Sequence, residues 1–167
     1  MSDRHTPKRL GQGMWTIAWL LMMGMLYLYF DDLIEERYNP NQALVSDTAA
    51  EVVLKRNHAG HYVAPGFING HKVVFLLDTG ATTISVPKNV AEKIGLRAGL
   101  KQQVGTANGT IDVFHTELDT VSLGGITLQK VRGHINPYMQ GDTVLLGMSF
   151  MQYLEITQKG DTLTLKR

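Results

Sequence analysis

No cysteine occurs among the 167 residues. Disulfides, thiolate zinc centres and cysteine nucleophiles are therefore excluded. The compartment stays open, because an oxidising space permits disulfides without requiring them. Charge is scarce in both signs: 16 Lys and Arg stand against 15 Asp and Glu, a net of +1. That balance gives no sign of the basic surface that nucleic-acid binding relies on, so nucleic acid is not an expected partner. The chain has no internal repeat and no low-complexity tract, and its length leaves room for one ordinary domain plus a targeting segment.

Residues 14–30, MWTIAWLLMMGMLYLYF, lack charge and proline altogether. That is close to the roughly 20 residues needed to cross a hydrocarbon core of about 30 Å. Trp15 and Trp19 near one end and Tyr27 and Tyr29 near the other suit the two interfaces. Arg4, Lys8 and Arg9 precede the run, whereas Asp31, Asp32, Glu35 and Glu36 follow it. The positive-inside rule then keeps residues 1–13 in the cytoplasm and sends the remainder across, most simply through a bacterial inner membrane into the periplasm. A cleaved signal peptide is the competing reading. It requires a small-x-small site after the apolar run, where this chain has Tyr29, Phe30, Asp31 and Asp32, so the expectation is an uncleaved transmembrane helix.

Residues 31–50 turn acidic and then small and polar, as a juxtamembrane helix end and linker would. From residue 51 to 167 short apolar or alternating runs recur between turn signals. The pattern predicts an all-β domain, a small closed barrel or sandwich, with strands at 52–56, 61–68, 72–77, 83–86, 101–106, 110–116, 118–123, 126–135, 143–146, 153–157 and 162–166. Asn69-Gly70, Asn108-Gly109, Gly124-Gly125 and Lys159-Gly160 mark turns, and Asn-Gly is the strongest of the short hairpin signals. Two brief helices are expected, one over 87–94 with proline at its start and Gly95 at its end, and one beginning near Met148.

The run Val73-Val74-Phe75-Leu76-Leu77 is continuously apolar, as a strand buried on both faces would be, and it ends on Asp78-Thr79-Gly80. A carboxylate is thereby carried by a core strand into a tight turn, and the β-rich run Ala81–Pro87 follows. Asp-Thr-Gly alone is a common turn tripeptide; its setting gives it weight. LLDTGATTISVP at 76–87, the glycine-bearing VGTANGTI at 104–111 and VLLGMSFM at 144–151 occur in an order that resembles the retropepsin-like aspartic proteases, which carry one catalytic motif per chain. The resemblance covers about residues 50–167. It implies an aspartic endopeptidase with Asp78, Thr79 and Gly80 as the catalytic motif, Ala81 completing it, and Thr106, Ala107, Asn108 and Gly109 as a flap tip closing over peptide or protein substrate.

Aspartic proteolysis needs two carboxylates sharing a proton, one acting as base toward water and the other as acid toward the scissile carbonyl. Asp-Thr recurs at 47, 119, 142 and 161, but none of these continues to glycine. The second acid is therefore expected from a second chain, with both copies of Asp78 at the axis of a homodimer. The Thr79 hydroxyl is expected to bond across that axis, and Gly147 to let a core strand pass beside the Asp78 loop. No cofactor is implied. A zinc site built on His58, His61 and His71 is disfavoured, since the first two straddle Ala59-Gly60 in a turn and no H-E-x-x-H pattern exists. Ser85 and Ser149 lack a nucleophile elbow. The alternative function is a β-domain that binds peptide without cleaving it.

Overall fold

The computed structural model describes residues 6–44, 50–106 and 109–167. The chain divides into two compact units, Met1–Arg37 and Tyr38–Arg167.

The described residues of the first unit lie in one helix, α1 (Thr6–Tyr38), whose last residue falls in the second unit, and Gly13–Tyr38 contains one span long and apolar enough to cross a membrane. Leu20, Met25 and Tyr27 are about 70% exposed, so the apolar run finds no protein partner within its unit. The helix does not stop at Phe30 but continues through Asp31, Glu35 and Glu36, residues with good helix propensity or, for Asp31, without a proline or glycine beside it to interrupt the turn.

The second unit is mostly β. Its strands are β1 (Glu51–Lys55), β2 (Val63–Ile68), β3 (His71–Leu77), β4 (Ile84–Pro87), β5 (Lys101–Thr106), β6 (Gly109–Leu123), β7 (Ile126–Asn136), β8 (Thr143–Leu146), β9 (Glu155–Lys159) and β10 (Thr162–Lys166). Short helices α2 (Lys88–Lys93) and α3 (Met148–Met151) follow β4 and β8. A three-stranded sheet runs β1-β10-β9 and a seven-stranded sheet runs β2-β3-β8-β4-β7-β6-β5. A second pairing, Gly66–Ile68 of β2 with Val121–Leu123 of β6, brings the order of the larger sheet back onto itself.

Period-two burial drives this arrangement. Val52 and Leu54 of β1 pair with Leu165 and Leu163 of β10, and all four are buried. Phe75, Ile84, Val86, Leu118, Leu146 and Phe150 are fully enclosed and make the centre of the core. Residues 110–123, read as two strands, form one with Gly109, because the polar Thr116-Glu117 step does not break pairing: Thr116 is buried and Glu117 pairs in register with Arg132. The last hairpin begins at Glu155 and not at residue 153, since the N–H groups of Gln152 and Leu154 still close the turn after α3 on the carbonyls of Met148 and Met151.

Within the stretch read as a linker, the described residues 39–44 are held by the domain. Asn41 is only 7% exposed, and its amide donates to the carbonyls of Lys55 (2.9 Å) and Val63 (2.7 Å) while its Oδ1 accepts the Lys55 N–H at 2.7 Å.

Candidate active site

The last residue pairs of β3 and β8 are parallel, Leu76 with Leu145 and Leu77 with Leu146. The Asp78 N–H then donates to the Leu146 carbonyl at 3.1 Å, so Asp78 is placed by the end of the core ladder. Its carbonyl accepts the Ala81 N–H at 3.2 Å, and its side-chain Oδ1 accepts the Gly80 N–H at 2.8 Å. A Cβ on residue 80 would stand 3.1 Å from that same Oδ1, a tight approach that would press on the carboxylate. Thr79 and Gly80 are exposed, while Asp78 is half-buried.

The loop after Asp78 is held from the other side by the start of α3. The Met148 N–H donates to the Ala81 carbonyl at 2.8 Å and the Ser149 N–H to the Thr82 carbonyl at 2.9 Å. Gly147 makes this approach possible, since a Cβ there would collide with the carbonyl oxygens of Thr83 and Ala81. Ser149, buried at 5%, donates its hydroxyl to the Arg132 carbonyl at 2.7 Å and accepts the Ile84 N–H at 3.2 Å. One side chain thus joins α3, β4 and β7.

Opposite the loop lies the β5–β6 hairpin. Lys101 and Asp112 pair at 2.9 Å near its base. The hydrogen bond between them raises the Lys101 ammonium above its ordinary pKa and lowers the Asp112 carboxyl below its own. The Thr106 hydroxyl donates to the Gly109 carbonyl at 2.8 Å, and Gly109 has φ of 112°, a left-handed conformation suited to glycine. Ala107 and Asn108 lie outside the described residues.

A half-open cavity of about 610 Å³ lies between the loop and the hairpin. Asp78, Gly80 and Ala81 line it from one side and Gln102–Thr106 from the other. The predicted residues Asp78, Gly80, Ala81 and Thr106 are thus brought together, whereas Thr79 and Gly109 stand outside the lining. Sequence reasoning missed the floor, made of Thr83, Ser85, His134, Asn136 and Leu145. The signal was available in the alternation Thr83-x-Ser85 and His134-x-Asn136, polar at every second position of two adjacent strands. Thr83 Oγ1 and His134 Nδ1 lie 2.8 Å apart, and burial holds the His134 imidazole below its ordinary pKa.

A second concavity, about 730 Å³, is lined by residues 127–132 with Ser149, Gln152, Tyr153 and Arg167. Among the described residues that line it there is no Asp or Glu, and Asp78 is not one of them. Among the described residues no three His, Asp or Glu side chains gather as a metal site would require; His58, His61 and His71 are each exposed.

Residues 64–153, which span the Asp78 loop, the hairpin and α3, match the family described as "gag-polyprotein putative aspartyl protease". An uncharacterized protein in the cobV 5′ region of Sinorhizobium sp is 32% identical, with 95% of this chain and 73% of the relative covered. The uncharacterized protein RP867 of Rickettsia prowazekii is 29% identical over 64% of this chain, which spans about half (47%) of that relative. Among solved structures, a retropepsin-like aspartic protease from Rickettsia conorii is 30% identical with a TM-score of 0.59, over 69% of this chain and 89% of that one. The likeness covers the elements that carry and surround the Asp-Thr-Gly turn, and the chain belongs to the retropepsin-like aspartic protease family.

Proposed function

We propose that this chain is a membrane-anchored aspartic endopeptidase that is active as a homodimer. One observation carries the reading: Asp78, delivered by the core ladder, is the sole carboxylate among the described residues lining a 610 Å³ cavity roofed by a hairpin. A lone carboxylate cannot act as both acid and base, so the cavity needs a second copy of Asp78. With two copies facing each other, one carboxylate takes a proton from water while the other gives its proton to the scissile carbonyl oxygen. The water oxygen bonds to the carbonyl carbon, and the resulting tetrahedral diol collapses as a proton passes to the nitrogen and the C–N bond breaks.

The other motif residues take roles by position. Gly80 supplies the N–H that orients the carboxylate, and Ala81 lines the cleft beside it. The exposed Thr79 hydroxyl is free to bond the partner's loop across the axis. Thr106 and Gly109 flank the flap tip in this reading. The apolar run of α1 acts as an uncleaved anchor with the protease domain on the periplasmic side, a reading supported by its length and by the basic residues before it and acidic residues after it. Confinement in the membrane plane raises the effective concentration of the pairing partners.

The deciding experiment uses the full chain in detergent or vesicles against a mixed peptide library, with Asp78→Asn beside it. Cleavage that rises faster than linearly with protein concentration and falls about a hundred- to ten-thousandfold in the variant is the expected result. Equal cleavage by the folded variant would refute the assignment.

A further inference from the structure

The strands beneath Asp78 have two faces of opposite character. Ile84 and Val86 of β4, Ile135 of β7, and Val144 and Leu146 of β8 turn into the core. The alternate residues turn into the cleft, and register aligns them: β4 is parallel to β7 with Ser85 beside His134, and Ser85 also pairs with Leu145 of β8. Thr83 precedes Ser85 by two residues and Asn136 follows His134 by two, so both lie on the same face. The floor thus sets the polar groups of Thr83, Ser85, His134 and Asn136 beside the apolar Leu145, with the Ser85 hydroxyl donating to Met139 Sδ at 3.6 Å.

We propose that Thr83, Ser85, His134 and Asn136 form a subsite that selects an uncharged amide side chain, Asn or Gln, in the peptide bound beside Asp78. The proposal rests on the proteolytic reading above and names the substrate class of that same cleft. Available partners decide the class. Asn136 Oδ1 is occupied by the Tyr138 N–H at 2.9 Å, which leaves its NH2 as a donor. His134 Nδ1 is engaged by the Thr83 hydroxyl, which leaves Nε2 for a ligand. Nε2 is a donor in one imidazole tautomer and an acceptor in the other, and a primary amide satisfies both cases because it carries both functions.

Charge eliminates the other classes. Apart from Asp78 no charged residue among the described ones lines the cavity, so a substrate carboxylate would meet no cation there and would face Asp78. A lysine or arginine would pair with Asp78 itself and take the carboxylate away from its water. An aliphatic side chain would strip water from Nε2 and the Asn136 NH2 without replacing its hydrogen bonds. Burial also keeps the imidazole neutral at neutral pH, consistent with a neutral guest.

The test is the cleavage profile of the full chain on peptides differing at one position, wild type against His134→Leu, Thr83→Val and the conservative His134→Gln. The wild type is expected to favour Asn or Gln at one subsite, and the ratio of kcat/KM for amide over Leu there to fall about ten- to hundredfold in His134→Leu. Thr83→Val should lower the same ratio and His134→Gln should retain part of it; these two carry the comparison if His134→Leu fails to fold. An aliphatic preference at every subsite, or an unmoved ratio while Asp78→Asn still abolishes cleavage, overturns the subsite and leaves the protease standing. Should the wild type cleave nothing, the proteolytic reading fails instead. The subsite is then judged by NMR of the His134 ring with blocked Ala-Ala-Asn-Ala and Ala-Ala-Leu-Ala: a selective response to the Asn peptide upholds it, and equal or absent responses overturn it.

Discussion

The side chain of Asn41 and the backbone of Lys55 exchange two hydrogen bonds, with the Lys55 N–H donating at 2.7 Å and the Lys55 carbonyl accepting at 2.9 Å. An asparagine amide here imitates one rung of a β-ladder, and its second N–H reaches the Val63 carbonyl on β2. Residues 39–44 thereby become part of the folded unit.

Replacing Asn41 with alanine should destabilise the domain by about 1–3 kcal/mol, because buried backbone groups lose their partner. Urea denaturation of the two proteins checks this. A fragment starting at Tyr38 should likewise have a higher midpoint than one starting at Thr48; equal midpoints would show that the contact adds nothing.

Gly147→Ala should be among the most damaging single-methyl changes in the chain. The added Cβ meets the backbone oxygens of Thr83 and Ala81, which cannot yield without displacing the Asp78 loop. A loss of about 1–3 kcal/mol or more is expected from overpacking, with loss of catalysis alongside, read by thermal melts and peptide turnover.

Ser149→Ala removes the acceptor of the buried Ile84 N–H and the donor to the Arg132 carbonyl. Stability should fall by about 1–3 kcal/mol. Ser149→Thr, which keeps the hydroxyl but must fit a methyl into a buried site, separates the hydrogen bonds from the packing. A melt of the alanine variant that coincides with wild type would count against the three-element tie.

Stability should depend on pH through His134. Its folded pKa lies below the usual 6.5, so between that value and the depressed one the unfolded chain binds more protons than the folded one. Stability therefore rises with pH across this window and is lost as the solution is acidified below about 6.5. The other titratable groups on this side are Asp78 in the same cavity and His115, paired with His134 across the strands. His134→Gln should show a smaller difference between denaturation midpoints at pH 7.5 and pH 5 than the wild type shows.

Much of the architecture was legible because its causes are local. The apolar run 73–77 ending in Asp-Thr-Gly announced the strand that delivers the carboxylate. Only Val73 and Phe75 are buried, however, while Val74, Leu76 and Leu77 are partly exposed, so the strand is not enclosed on both faces as its composition suggested. Asn69-Gly70 announced the tight turn that the positive φ values of both residues bear out. The cleft floor was harder to see. Period-two alternation reports that a strand has two faces, but when both are enclosed it does not report which meets the core and which meets a ligand. Asn41 was hidden for a different reason: Asn39-Pro40-Asn41-Gln42 has the composition of a turn, and its partners lie 14 and 22 residues away.

The two-faced strands under Asp78 separate what may vary from what must not. Positions 83, 85, 134 and 136 line the cleft, while 84, 86 and 135 hold the scaffold together. Replacements at the cleft-facing positions should therefore change what is cut more readily than replacements at the core-facing ones. An inserted or deleted residue in either strand has the opposite effect, turning the hydrogen-bonding set inward and the aliphatic set outward in one step. Homologues diverging in what they cut should accordingly differ at these alternate positions by replacement and keep the lengths of β4 and β7 unchanged.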